Sequence, residues 1–227
     1  MDKTKRKKLK DLNLLDDFLF SVAIKDLEIC KSVLEIILNK NIVDIYYNQA
    51  QMELNSLPGY KGVRLDVIIE DDQGLLYNIE VQVRDTKNLP KRTRFYQSLI
   101  DFPLLEKGEA DYNCLNNTYI IMIMPFDLFG QGKYCYTFEN VCLEDGHIRL
   151  GDGAIKIFLN TEGTNPDEVS KTLVDFLHYV KQTSDESVSD TTDDKIREIH
   201  AKMQKIKSNR EIGVAYMQTW ERERMLR

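Results

Sequence analysis

Two neighbouring β-prone segments of the sequence carry polar side chains where a buried strand would place apolar ones. Asp66 interrupts the segment Val63–Glu70, and Glu80 and Gln82 interrupt the segment Leu75–Val83. Because the side chains of a strand alternate between two faces, Glu80 and Gln82 share a face. If the loop between the strands has an odd number of residues, Asp66 lies directly across from Glu80. An even number would place the two carboxylates on opposite faces.

Two carboxylates in the favourable register would do metal chemistry. Their Cβ atoms would lie about 4.5–5.5 Å apart, and the charges repel at that distance unless a cation lies between them. Mg²⁺, or Mn²⁺ in its place, is the expected ion, because carboxylate and water oxygens suit it beside phosphate. Such a cation polarises a phosphodiester and activates a water, which the amide of Gln82 can orient. The alternative is that Asp66, Glu80 and Gln82 line the solvent-exposed face of a two-stranded sheet edge.

A basic segment follows the second strand directly. Between positions 84 and 94 it holds one acid, Asp85, and five basic residues: Arg84, Lys87, Lys91, Arg92 and Arg94. Arg92 and Tyr96 are four residues apart on a predicted helix and therefore share a face, which suits a phosphate clamp beside the carboxylates. The alternative is an ordinary solvated helix face. Because Lys+Arg total 31 and Asp+Glu total 37, for a net charge of −6, DNA binding has to depend on this local cluster.

Composition and motifs exclude several other classes of protein. The chain has 227 residues, 42% apolar and 30% charged, which is ordinary for a folded protein with a core. No run approaches the ~20 apolar residues of a membrane span, and the N-terminus has no signal-peptide core, so we expect a cytoplasmic protein. Four cysteines without a CxxC pair make no disulfide framework. The absence of glycine-rich phosphate loops and nucleophile elbows disfavours cofactor-dependent and triad enzymes.

The remaining elements must hold these side chains in place. Apolar spacings of three and four predict one helix after Asp16 or Asp17 and another after Asp26, each carboxylate being a possible N-cap. The segment Asp71–Gly74 has the composition of a hairpin turn, and the continuously apolar Thr118–Met124 predicts a central strand buried on both faces. Further elements are expected at 42–47, 51–54, 91–105, 133–141 with Tyr134, Tyr136 and Phe138 on one face, 154–159 and 167–181.

Beyond residue 182 the composition changes. Residues 183–194 are rich in Ser, Thr and Asp without apolar periodicity, so we expect an acidic flexible linker. Residues 195–227 are expected to form a C-terminal amphipathic helix on which Ile196, Ile199, Met203 and Ile206 recur at helical spacing. That helix either packs on its own domain or forms a homodimer interface.

The order α, β, β, β, α, β, with Asp in one hairpin strand and Glu-x-Gln in the next, resembles the PD-(D/E)XK nuclease superfamily. More specifically, DDFLFSVAI (16–24), RLDVIIEDDQG (64–74), NIEVQV (78–83) and LPKRTRFYQSLID (89–101) resemble the PD-(D/E)XK nuclease family transposases, also called recombination-promoting nucleases. The segments 105–112, 119–140 and 150–164 also resemble this family and extend the resemblance over roughly residues 12–182. The resemblance implies a restriction-endonuclease-like α/β domain, residues 11–182, with a central mixed β-sheet flanked by helices.

The resemblance also implies roles for individual residues. Asp66 would be the metal-binding aspartate and Glu80 its acidic partner, with Asp17 of the first helix a further metal ligand or a simple helix cap. Gln82 stands where the superfamily has a lysine and supplies a dipole where lysine supplies a charge. Leu65 stands where the superfamily signature has a proline.

The helix after the second hairpin strand matches the family at several positions. The resemblance makes Arg92, Tyr96 and Gln97 DNA-binding residues, with Arg94 in the same basic segment. The implied function is a Mg²⁺-dependent DNA endonuclease associated with transposition and DNA recombination of mobile elements. Two alternatives remain open: a non-catalytic DNA-binding or regulatory protein that keeps the nuclease fold, and an interaction module that dimerises through its C-terminal helix.

Overall fold

A computed structural model describes residues 7–47, 68–105, 108, 111–189 and 191–225. The described part forms one six-stranded mixed sheet with helices on both faces. The strands are β1 Ile45–Tyr47, β2 Ile68–Asp71, β3 Leu76–Val81, β4 Thr118–Met124, β5 Cys135–Phe138 and β6 Ala154–Asn160. The helices are α1 Asp17–Ala23, α2 Leu27–Leu38, α3 Leu89–Asp101, α4 Lys171–Lys181, α5 Asp185–Ser189, α6 Asp194–Ser208 and α7 Arg210–Met225.

The sheet has the strand order β1-β2-β3-β4-β6-β5. Its centre is parallel, since β4 pairs in parallel with both β3 and β6, whereas the pairs β1/β2, β2/β3 and β5/β6 are antiparallel. Thr118–Met124 forms β4 with all but one of its residues buried, which confirms the predicted central strand. Strands covered on both faces tolerate a continuous apolar run. This is the mixed α/β architecture expected of a PD-(D/E)XK nuclease-like fold.

Helices cover the two faces of the sheet unequally. Residues of α1, α2, α4 and α6 form one core with the sheet side chains Tyr77, Ile79 and Ile121. The other core lies under α3, whose Tyr96 packs with residues such as Met122. Period-two alternation therefore assigns the odd-numbered residues of β3 to the first core and the even-numbered ones to the face under α3.

The hairpin β2–β3 has the odd-numbered loop that the carboxylate pair requires. Asp71 N donates to Leu75 O at 3.1 Å, and Gly74 N donates to Asp71 O at 2.9 Å, which leaves a three-residue loop with Gly74 at φ +76°. That left-handed conformation is the usual end of such a turn. Beyond the loop, Ile68 pairs with Asn78. Asp66 lies outside the described residues, as does the β-prone run 51–54.

Caps determine where several helices begin. Asp16 Oδ1 accepts hydrogen bonds from Phe18 N and Leu19 N at 3.2 and 3.3 Å, and Asp26 caps α2 in the same manner. The sequence allowed either Asp16 or Asp17 as the cap of α1, and the structure shows that it is Asp16. The predicted start of α4 at 167 is wrong, because Ser170 Oγ accepts from Leu173 N at 3.2 Å and the helix begins after it.

One predicted alternation is also wrong. Tyr134 packs in the first core and Tyr136 on the other side with the core under α3. The strand begins only at Cys135, and Tyr134 N donates instead to Asn165 Oδ1 at 2.8 Å. Tyr134 therefore lies outside the strand, and the alternation of strand faces does not apply to it.

The C-terminal segment returns to the domain. Residues 183–194, predicted as a linker, contain the helix α5 and the buried Thr183 and Thr191, and Leu14 N donates to Thr183 Oγ1 at 2.8 Å. Two helices follow rather than one, because Asn209 adopts an extended conformation and its Oδ1 accepts from Glu211 N at 2.8 Å, which starts a new helix. Among the described residues, no helix combines the length and apolar character that crossing a bilayer requires.

Candidate active site

Glu80 is an acidic side chain buried in the sheet. It lies near the carboxyl end of β3, on the face under α3, and is only 9% exposed. Its Oε2 accepts from Arg92 Nη2 of α3 at 2.9 Å. Glu80 is therefore not on a solvated sheet edge, and a guanidinium balances its charge. The cost of removing a carboxylate from water is offset only by such charged or hydrogen-bonding partners.

Arg92 joins the two residues of the Glu-x-Gln pattern. Besides its bond to Glu80, Nη1 donates to Gln82 Oε1 at 2.6 Å, and Nε donates to the hydroxyl of Tyr96. The guanidinium also lies 5.1 Å from the centre of the Tyr96 ring. The other end of the Gln82 amide is held as well, because Nε2 donates to Arg84 O at 2.6 Å. These contacts fix the orientation of both side chains.

Tyr96 completes the hydrogen-bonded group. The side chain is 1% exposed, and burial, followed by the negative charge of Glu80, raises the pKa of Tyr96 to about 12 against the opposing effect of Arg92. The phenol therefore keeps its proton at neutral pH. It accepts from Arg92 while hydrogen-bonding to Glu80, which ties α3 to β3.

Asp17 reaches the same place from the opposite side of the sheet. It is the first residue of α1 and exposed, and Asp16 is the cap. A cavity of about 280 Å³ is lined by Asp17, Glu80, Gln82 and Arg92 together with apolar residues of α1 and β3. The structure thus brings together, around one cavity, side chains that the sequence places in three separate segments.

Two of the predicted DNA-binding residues lie outside this cavity. Gln97 Nε2 donates to both carboxylate oxygens of Asp101, at 3.0 and 3.2 Å, and Arg94 is exposed. Neither lines the cavity that contains Glu80. Lys87 of the basic segment pairs with Asp85, whose pKa this contact lowers. The basic segment is therefore not one continuous cluster: Arg92 is half-buried and lines the cavity, whereas Arg84, Lys87, Lys91 and Arg94 are exposed.

The oxygens around the cavity are suited to a hard cation. Asp17, Glu80 and Gln82, which carry carboxylate and amide oxygens, are among its lining residues, and Mg²⁺ typically takes one or two carboxylates with water in its other positions. No group of three His, Cys, Asp or Glu side chains with metal-binding geometry occurs within the described ranges. The third carboxylate that the sequence predicts, Asp66, lies outside them.

A second cavity adjoins the first and was not predicted from the sequence. Its volume is about 490 Å³, and Asp17 and Gln82 line both cavities. Its far wall consists of Tyr216 and Trp220 of α7. In the sequence, Met217 and Trp220 resume the helical spacing of Ile196–Ile206, but this spacing does not indicate what that face contacts.

Comparison with known families agrees with this architecture. The family model of the PD-(D/E)XK nuclease family transposases matches residues 17–224. No curated protein and no solved structure matches the chain significantly. The matched range includes every residue that lines the first cavity and all but Asp16 of those that line the second. It extends through α6 and into α7, which the sequence motifs alone did not cover. With nearly its whole length matched, the chain belongs to the PD-(D/E)XK nuclease family transposases.

Proposed function

We propose that the protein is a metal-dependent DNA endonuclease that hydrolyses phosphodiester bonds. The observation that carries the proposal is the convergence of Glu80, Gln82, Arg92 and Asp17 on one cavity at the carboxyl end of β3. Ligand sites of open α/β sheets are found at this end of the strands. Its substrate would be DNA in the cytoplasm, and its cellular role the DNA recombination that the family name implies.

Asp66 is proposed as the second carboxylate of the catalytic pair. The described register supports this, since Ile68 pairs with Asn78 and Ile69 with Tyr77. Each step toward the N-terminus on β2 corresponds to one step toward the C-terminus on β3 in an antiparallel pair. If the pairing continues for two more residues, Asp66 stands opposite Glu80 and on the same face.

The donor set fits a divalent cation such as Mg²⁺ or Mn²⁺. Glu80 and Asp66 would hold it, with Asp17 contributing directly or through water. When bound, the cation supplies Lewis-acid polarisation of the phosphodiester and lowers the pKa of a bound water. Hydrolysis at this site would form a bond from a water oxygen to phosphorus and break the bond from phosphorus to the leaving oxygen. The water would lose one proton to solvent and the leaving oxygen would gain one, so one product carries a phosphate and the other a hydroxyl.

Arg92 is proposed to supply the positive charge that Gln82 lacks. The superfamily's lysine would stand at position 82, and Arg92 Nη1 lies 2.6 Å from the oxygen of the glutamine that replaces it. A guanidinium presents several donors in a fixed plane and binds phosphate oxygens well. We assign to Arg92 the stabilisation of the negative charge that develops on the non-bridging oxygens.

Gln82 and Tyr96 are proposed as positioning residues for that guanidinium. Gln82 Oε1 and the Tyr96 hydroxyl accept from different nitrogens of Arg92. Groups that are held in place before the reaction need no reorganisation when charge develops. Substitution of either residue should therefore lower the cleavage rate more than the affinity for DNA.

The test is nicking of supercoiled plasmid by purified protein. We expect cleavage in Mg²⁺ or Mn²⁺ that EDTA abolishes, and its loss in Glu80→Ala and Asp66→Ala with unchanged circular dichroism. Glu168→Ala is the matched control, because that carboxylate is 60% exposed and pairs with Lys133 away from the cavity. Full activity in either catalytic variant would refute the proposed site.

The substitution at position 82 favours one competing function, a DNA-binding or regulatory protein without catalysis. Without the superfamily's lysine, the site depends on Arg92 for its positive charge. The same assay separates the two functions when gel-shift binding is measured in parallel. Binding without nicking in either metal would favour the non-catalytic protein.

A further inference from the structure

The second cavity forms a groove beside the proposed catalytic cavity. We call it the α7 groove; it is lined by Phe18, Arg84, Tyr216 and Trp220 and shares Asp17 and Gln82 with the catalytic cavity. If a DNA strand binds with its scissile phosphate in the catalytic cavity, the neighbouring nucleotide would lie in this groove. The groove is therefore an extension of the substrate site and not a separate pocket elsewhere on the surface.

We propose that the α7 groove binds an unpaired nucleotide next to the scissile phosphate, with its base against Trp220 and its backbone phosphate beside Arg84. This inference rests on the proposed nuclease function and adds to it a substrate class, DNA with a single-stranded segment or end. It also assigns a role to the C-terminal helix, which supplies the aromatic wall of the groove.

The aromatic wall is held by contacts at several points. The rings of Phe18 and Tyr216 lie 5.1 Å apart, Tyr216 is 8% exposed, and its hydroxyl donates to Lys7 O at 3.2 Å. Trp220 follows one helical turn later and so lies on the same face of α7. A pre-formed aromatic surface binds bases of any sequence, because every base has a π-face.

The charges around the groove suit a phosphate backbone. Arg84 lines it, and the Arg224 guanidinium lies 5.2 Å from the centre of the Trp220 ring. Asp16 also lines the groove, but its carboxylate accepts two backbone N–H groups at the positive end of α1, which offsets its charge. Asp17 is the proposed metal ligand. The backbone of Arg84 is held beside the catalytic cavity, because its carbonyl oxygen accepts from Gln82 Nε2 at 2.6 Å.

An unpaired nucleotide fits this arrangement better than a base pair. In a duplex both faces of a base are covered by its neighbours, so a base reaches an aromatic side chain only after unstacking or where it is already single-stranded. The groove volume, about 490 Å³, lies within the range of roughly 300–1,000 Å³ of small-ligand pockets. It is of a size for one nucleotide and not for a double helix.

Trp220 is the single tryptophan of the chain, so its fluorescence reports on the groove directly. Full-length protein in EDTA is titrated with a 12-nucleotide single-stranded DNA and with the same sequence as a duplex, while anisotropy of labelled DNA measures binding independently. We expect saturable quenching of Trp220 and tighter binding of the single strand. EDTA keeps the strand intact during the titration.

Variants separate stacking from general effects on α7. Trp220→Ala should weaken single-strand binding by about 10-fold, whereas Trp220→Phe, which keeps an aromatic face, should retain most of the affinity. Gln218→Ala on the exposed side of α7 is the matched control and should bind as the unaltered protein does. If Trp220→Ala fails to fold by circular dichroism, Arg84→Ala at an exposed position tests the same groove through a lower salt dependence of binding.

The outcomes distinguish this inference from the proposed function. Nicking of plasmid without quenching of Trp220 by bound single strand overturns the α7 groove and leaves the endonuclease. Quenching without nicking in any metal keeps the groove and refutes the endonuclease. Equal affinity and equal quenching with the duplex overturn the assignment to an unpaired nucleotide. Absence of binding to either DNA overturns the α7 groove, and absence of nicking as well overturns both proposals.

Discussion

Replacing Arg92 and replacing Glu80 should destabilise the fold by different amounts, although the two side chains form one ion pair. The Glu80 side chain is 10% exposed and the Arg92 side chain 35%. Substituting Arg92→Met keeps most of the apolar stem but leaves a buried carboxylate without its cation. Substituting Glu80→Gln leaves a guanidinium that water can still reach. We therefore expect Arg92→Met to be the more destabilising change.

The contacts set the size of the effect. Arg92 donates to Glu80 at 2.9 Å, to Gln82 at 2.6 Å and to the Tyr96 hydroxyl. A hydrogen bond to a charged group contributes about 1.5–3 kcal/mol, and breaking a fully buried ion pair costs about 3–5 kcal/mol. Because Arg92 is one-third exposed, the expected loss for Arg92→Met is about 2–3 kcal/mol. For Glu80→Gln, which keeps a hydrogen-bond acceptor, about 1 kcal/mol is expected.

Urea denaturation followed by circular dichroism measures the loss in free energy of unfolding for each variant. EDTA is included so that bound metal does not contribute to the measured stability. The double variant completes a thermodynamic cycle, in which contacting residues should couple by about 1–2 kcal/mol. Arg92→Lys is a useful third variant, since it restores the charge but not the planar fork. The reasoning is refuted if the free energy of unfolding of Arg92→Met lies within about 0.5 kcal/mol of that of the unaltered protein. It is also refuted if the loss of stability in the double variant equals the sum of the losses in the two single variants.

Other predictions concern the scaffold. The hydrogen bonds from Lys202 and the α2 backbone outweigh burial and lower the pKa of Asp26 from its ordinary value of 3.8, so its stabilisation is present above about pH 4 and is lost as the pH falls through the lower folded value. Asp26→Asn keeps a capping side chain and should cost about 0.3–1 kcal/mol at pH 7. The cost should shrink as the pH falls below the folded pKa of Asp26, and urea denaturation at a series of pH values would contradict this if the difference did not shrink in acid. Gly163→Ala would place a Cβ 2.4 Å from the Tyr134 ring and 2.7 Å from its Cα, so thermal unfolding should reveal a loss of about 2–3 kcal/mol. Gly213→Ala in α7 meets nothing within 4 Å and should instead stabilise by about 0.5–1 kcal/mol; equal effects of the two alanines would contradict the packing argument.

Local chemistry made much of the framework predictable from the sequence. Composition predicts the turn at Asp71–Gly74, although the structure was needed to give its loop length of three residues. The period of two assigns Glu80 and Gln82 to one face. The cap at Asp26 and the strand Thr118–Met124 were predictable for the same reason, and the first cap was narrowed to Asp16 or Asp17. Each depends on interactions within a few residues, or on a burial pattern that one segment displays by itself.

Some errors arose where distant segments meet, and others at local caps that the sequence pattern did not reveal. Tyr134 leaves the predicted alternation because Asn165, far along the chain, accepts its backbone N–H. The break at Asn209, which turns the predicted C-terminal helix into two, came from an ordinary capping residue inside a pattern that otherwise continues in helical register.

The sequence by itself determined the chemistry of this protein: an acidic residue and an amide on one face of a hairpin strand, followed by a basic helix. Tertiary structure alone decided that Arg92, and not Arg94 or Gln97, bonds to Glu80 and Gln82, and that α1 and α7 border the cavities. Hydrophobic periodicity predicts that one face of a helix is buried, but it does not identify the element that covers this face, because the hydrophobic effect is non-directional. Only the packed chain specifies which side chains meet across the sheet.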